Sequence, residues 1–233
     1  MRSGPQVEPA AMFTPIRQAQ ALLGFLFLLY SLPSIFLCAV AVIGLKMDVP
    51  MYMFLRDPAD ILHAHPLTGV VSNLGVLFWS ASAAICFFTW SILRQTLADR
   101  FPIFFLWAGL LTALLLLDDF FQFHEAIFPR YFHVPEKLTY LSYVVFTVCL
   151  IVAFRKCILR TDYIIGLSAL CFFALSVGVD VVQDHIEPFL GQWRILFEDG
   201  FKFLGIVGWF GYFFRTCFVA IAGTRDRSTP TTP

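Results

Sequence analysis

Five stretches of this chain, residues 21–45, 68–93, 101–117, 138–154 and 163–179, contain no Asp, Glu, Lys or Arg. A bilayer core about 30 Å thick takes about 20 apolar residues per helix, and a backbone surrounded by lipid must satisfy its own hydrogen bonds. Runs of this length therefore predict membrane-spanning helices. The run around 195–219 is a sixth, with Glu198, Asp199 and Lys202 near its start and Arg215 near its end. The expectation is an all-α, polytopic transmembrane helix bundle of six spans: roughly 20–45, 68–93, 102–127, 138–155, 163–187 and 195–219.

Composition agrees with this class. Of the 233 residues 59% are hydrophobic and 14% charged, where a soluble domain carries about a quarter charged. The formal net charge of zero gives no electrostatic basis for binding nucleic acid. Six cysteines fall in or beside the apolar runs with no Cys-x-x-Cys pair, which reads as apolar thiols rather than a disulfide framework. Residues 1–19 read as a cytoplasmic N-terminal segment, 20–222 as the six-helix domain and 223–233 as a disordered cytoplasmic tail. Lys46 to Leu67 reads as an interfacial loop or short helix, with Asp57 as its N-cap and Pro58 in its first turn.

Basic residues set the expected orientation. Ten (Arg2, Arg17, Arg94, Arg100, Arg155, Lys156, Arg160, Arg215, Arg225 and Arg227) fall on the side of the N-terminus, against six on the other. Both termini are thus expected in the cytoplasm, in a plasma (inner) membrane.

The remaining ionisable residues gather at the extracytoplasmic helix ends. Span three ends in Asp118, Asp119, Gln122, His124 and Glu125; span five ends in Asp180, Gln183, Asp184, His185 and Glu187; span six opens on Glu198, Asp199 and Lys202. The intervals Arg100–Asp118 and Asp162–Asp180 are each 18 residues, about 27 Å of helix. These rulers put the acids at one level. Asp118, Gln122 and Glu125 stand at i, i+4, i+7, as do Asp180, Asp184 and Glu187, so each trio is expected on one helix face. Asp119-x-x-Gln122-x-His124 also matches Asp180-x-x-Gln183-x-His185, which suggests a weak tandem repeat of hairpins, spans 3–4 and 5–6. Glu198 and Lys202, at i, i+4, read as a salt bridge. The glycines at 205, 208 and 211 read as a helix-packing face.

Eight carboxylates around one lysine need a compensating cation. One remedy is a divalent metal such as zinc, manganese or iron, with Asp118, Asp119, His124, Glu125 and His185 as ligands. Protonated carboxyls or a cationic substrate are the others. Neither Glu-x-x-His nor His-Glu-x-x-His occurs. The favoured reading is a metal-dependent, membrane-embedded enzyme acting on a lipid or isoprenoid, with Asp180, Asp184, Glu187 and Glu198 catalytic. A cation or proton-coupled transporter and a non-catalytic subunit of a membrane complex are the alternatives. The apolar midplane favours an interfacial enzyme over a through-pathway. His63 and His65 read as loop residues.

Overall fold

Each long apolar run forms a helix in the computed structural model, which describes residues 15–50, 52–56, 58–65, 67–95, 100–191 and 193–228. The chain divides into two compact units, residues 1–68 and 69–233. The first holds α1 (Pro15–Met47) and the short helices α2 (Tyr52–Leu55) and α3 (Pro58–Ile61). Pro58 opens α3 as expected, and Asp57, its expected cap, lies outside the described residues. His63 takes a left-handed φ of 51°, and His65 Nδ1 accepts the Leu67 N–H at 3.2 Å.

The second unit holds α4 (Val70–Leu93), α5 (Phe101–Phe121), a π-helix (Phe123–Phe132), α6 (Glu136–Ile158), α7 (Tyr163–Val181), α8 (Gln183–Leu190) and α9 (Trp193–Ser228). Among the described residues no strand occurs. Five helices here are long and apolar enough to cross a membrane: α4, α5, α6, α7 and α9 over Trp193–Thr224. Leu77, Phe88, Val152, Ile164 and Phe218 lie exposed along them. Apolar surface on this scale is unfavourable in water and natural in lipid, so the chain is an integral membrane protein. In α1 the described apolar stretch is Pro33–Met47. The expected tail from Gly223 begins inside α9, which continues to Ser228.

Within this unit α9 packs along α7 and α4, and α4 packs on α5. The core is aromatic. Trp79 of α4 stacks on Phe173 of α7 at 5.7 Å and meets Trp209 of α9 edge-on at 6.2 Å. Trp209 donates its indole N–H to Thr112 Oγ1 at 3.0 Å, which binds a polar atom of α9 to α5 where no water is available. The glycine face allows the close approach of α7. A Cβ on Gly208 would stand 3.2 Å from Ala169 Cβ, and one on Gly205 would stand 2.7 Å from Phe173 ring carbons. Phe173 cannot turn aside without leaving Trp79. We therefore expect Gly205→Ala to destabilise the fold by about 1–3 kcal/mol. Gly200→Ala, whose Cβ meets nothing within 4 Å, should be neutral or stabilising. Thermal melting in detergent compares the two, and equal effects would remove this packing account.

Two expected spans are shorter than their apolar patterns. The third, read as 102–127, ends as α-helix at Phe121, where Gln122 turns left-handed at φ 54° and ψ 45°. The fifth, read as 163–187, ends at Val181, and α8 starts after Val182. The trios Asp118/Gln122/Glu125 and Asp180/Asp184/Glu187 are therefore each divided by a break and do not share one continuous helix face. The two matched segments also continue differently, one into a ten-residue π-helix and the other into an eight-residue α-helix.

Candidate functional site

A left-handed conformation at a residue other than glycine costs about 1–2 kcal/mol, so the turn at Gln122 needs a compensating contact. Asp118 supplies it. Its Oδ1 accepts the backbone N–H of His124 at 3.0 Å, and its Oδ2 lies 2.5 Å from the same residue's Nδ1. One carboxylate thus holds both the main chain and the ring of a residue six positions on. Both partners are buried, Asp118 5% and His124 4% exposed. The π-helix that follows places Glu125 beside the other edge of the ring, with Oε1 3.3 Å from His124 Nε2. Gln122 Nε2 donates to the second oxygen of Glu125 at 3.4 Å. π-Helices are rare and concentrate at functional sites, and this one exists to turn His124 back onto α5.

The electrostatics follow from the geometry. Burial alone lowers the basicity of His124, but the hydrogen bonds to Asp118 and Glu125 outweigh it and raise its pKa to about 9. Glu125 is held below the usual carboxylate range, chiefly by its hydrogen bond with His124 and also by the charge of Lys202. At neutral pH the group is an imidazolium between two carboxylates. Carboxylates at the end of α5 oppose the helix macrodipole, and this cation offsets them.

A second cation comes from α9. Lys202 forms an ion pair with Asp119, whose side chain is 9% exposed. Glu198 pairs instead with Arg194, at 2.6 Å. The expected Glu198–Lys202 pair is thus replaced by two others. The reason is tertiary: Lys202 lies on the side of α9 that reaches α5, where a buried carboxylate needs it, and Glu198 is left to the turn before it.

The other expected residues divide. Asp180, at the end of α7, acts electrostatically on Glu198 and on Tyr140 of α6. Tyr140 in turn lies within reach of the charges on Asp118 and Glu125. The acids of α5, α7 and α9 thus converge on one end of the bundle. His185 lies exposed on α8, and among the described contacts its side chain joins none of the cluster. Asp184 and Glu187 also sit on α8, with side chains outside the described residues.

Two residues had no place in the sequence reading. The Tyr140 ring lies 4.8 Å from the His124 ring, and the Tyr143 hydroxyl hydrogen-bonds Asp118. Their signal was Tyr-x-x-Tyr at the start of span four, at the level where the acids of span three end.

Of the five residues expected to hold a metal, Asp118, Asp119, His124 and Glu125 are engaged with one another or with Lys202, and His185 stands apart from them. Asp118 and Glu125 flank both nitrogens of His124, and Asp119 is paired with Lys202. Among the described residues no group of three or more His, Cys, Asp or Glu is placed to hold a metal ion. What the arrangement does supply is a proton held on a buried imidazole, next to a half-exposed carboxylate.

A family model described as a domain of unknown function, DUF8692, matches residues 22–216, a range that includes all of these residues. No curated protein and no solved structure matches the chain.

Proposed function

We propose that this chain, which belongs to the DUF8692 family of unknown function, is a membrane-embedded enzyme that transfers a proton from His124 to a lipid or isoprenoid substrate. The observation that carries the reading is the buried Asp118–His124 pair at 2.5 Å. Asp118 fixes Nδ1, so Nε2 is the nitrogen that can release and regain a proton. Glu125 stands beside it, with its side chain 50% exposed, and connects the ring to the surroundings. A group with a pKa of about 9 starts the reaction charged. It therefore serves first as a general acid, protonating the leaving oxygen as water attacks the substrate. The neutral imidazole then takes the proton that the water gives up, which restores the charged form. Asp180 and Glu198 lie at the same end of the bundle, Asp180 within electrostatic reach of both Glu198 and Tyr140. The site lies at a helix end rather than at mid-bilayer, which suits a head-group reaction.

The finer topology belongs to the same proposal. With α1 as a sixth span, both termini share a side, and the arginine and lysine bias places that side in the cytoplasm. The site then faces the extracytoplasmic leaflet of the plasma membrane. The matched ends of α5 and α7 fit a hairpin repeat that has since diverged. A divalent metal is the competing source of positive charge, and it requires His124 to give up one of its two carboxylates.

The test compares polar lipids of cells that carry the chain, lack it, or carry His124→Gln. One lipid class should change on deletion, and His124→Gln should reproduce the deletion at unchanged protein level. A lipid profile that does not respond to deletion would sink the enzyme. Proton flux through proteoliposomes that is lost in His124→Gln would then select the proton-coupled transporter. Activity that collapses with chelator and returns with zinc or manganese would instead restore the metal.

A further inference from the structure

At the opposite end of the same bundle, the helix ends line an open cleft of about 800 Å³, with Arg100, Lys156 and Arg160 exposed at its rim. Arg100 reaches it from the start of α5, Lys156 and Arg160 from the end of α6 and the turn after it, and Arg215 from α9. Arg215 is neutralised by Asp162, with Nε 2.7 Å from Oδ2. Arg100, Lys156 and Arg160 have no carboxylate partner among the described residues. Three like charges around one cleft repel each other, and an anion placed between them removes that cost. Guanidinium groups favour phosphate through paired hydrogen bonds, and lysine adds a point charge. Arg100 lies one apolar span from the acid level, about 27 Å along α5, where the phosphate layer of a bilayer is found. Basic pockets between transmembrane helices are suited to phospholipid head groups.

We propose that this cleft binds a phosphate-bearing anion, its phosphate seated between Arg100, Lys156 and Arg160. The site is separate from His124 and does not depend on the reaction proposed there. The phosphate has two possible sources, a membrane lipid or a soluble phosphate, and the same experiment separates them.

The full chain in detergent is offered phosphatidylglycerol or phosphatidylcholine with matched acyl chains, and retained lipid is counted by native mass spectrometry. In parallel, thermal melting is followed with added pyrophosphate. A lipid source predicts a preference of about tenfold for phosphatidylglycerol, lost in Lys156→Gln/Arg160→Gln. Arg94→Gln should keep the preference, because Arg94 stacks on Trp90 at 4.5 Å and does not line the cleft. A soluble source predicts stabilisation by pyrophosphate, again lost in the double variant, without a lipid preference. If the double variant fails to fold, Arg100→Gln and displacement of bound phosphatidylglycerol by pyrophosphate give the same reading. No preference together with no stabilisation would overturn the proposal. So would an Arg94→Gln effect as large as that of the cleft variants, since diffuse surface charge would then account for the binding.

Discussion

Asp118→Ala should destabilise the protein by about 3–5 kcal/mol, the usual loss when a buried charged group is stripped of its partner. Two hydrogen bonds go at once, to the ring and to the backbone of His124, and the left-handed turn at Gln122 loses the contact that offsets it. The effect should depend on pH. The folded-state pKa of His124, about 9, is raised above its ordinary value of 6.5. The stability from this shift, about 3 kcal/mol for a group this buried, is complete below pH 6.5 and is lost as pH rises through 9. Wild-type melting temperature should fall across that interval. The gap between wild type and Asp118→Ala should narrow there, because the variant no longer holds the proton. Asp118→Asn, which keeps an acceptor for the backbone N–H, should lose less. Melting curves from pH 6 to pH 10 check all three statements, and a gap that stays constant with pH would mean that His124 is not the charged partner.

Lys202→Met should cost about 3 kcal/mol, because it leaves the carboxylate of Asp119 almost fully buried without a cation. A Cβ on Gly75 would stand 4.0 Å from Asp119 Oδ2, so α4 lies against this carboxylate, whose side chain is 9% exposed. The ion pair and the Trp209–Thr112 hydrogen bond are polar ties between α5 and α9. The double change Asp119→Leu/Lys202→Met should restore most of the loss, since an apolar pair replaces a buried ion pair at little cost. Lys202→Met alone should also raise the pKa of Glu125, which that lysine helps to lower. A double-mutant cycle by thermal melting measures the coupling, and additive losses would show that the two side chains do not act as a pair.

The sequence resolved the broad outline of the site better than its connections. Helix rise from Arg100 and Asp162 placed Asp118 and Asp180 at one level, and the structure brings the acids of α5, α7 and α9 into one electrostatic neighbourhood. The i, i+4, i+7 alignment failed because it assumed that apolar helices continue through their polar ends. Nothing local marks Gln122 as left-handed, since it is neither glycine nor asparagine. The turn forms because Asp118 reaches His124, a contact that exists only once the chain has turned. Arg194 was available at i−4 to Glu198, as Lys202 was at i+4. Choosing between them required knowing which side of α9 faces Asp119.

The sequence by itself determined that the chain is a membrane-spanning helical protein, because uncharged runs of that length leave the backbone no other way to satisfy its hydrogen bonds in lipid. It also determined that the ionisable groups gather at the helix ends, because charge is costly at mid-bilayer. Tertiary structure decided which charges meet. Eight carboxylates at one level do not say which cation answers which anion, and the energy of a buried pair depends on separations of a few ångströms set by helices distant in sequence. Packing of α9 against α4 and α7, and the π-helix folded back from α5, fixed those separations. They made His124 and Lys202 the cations of a site that composition alone left short of positive charge.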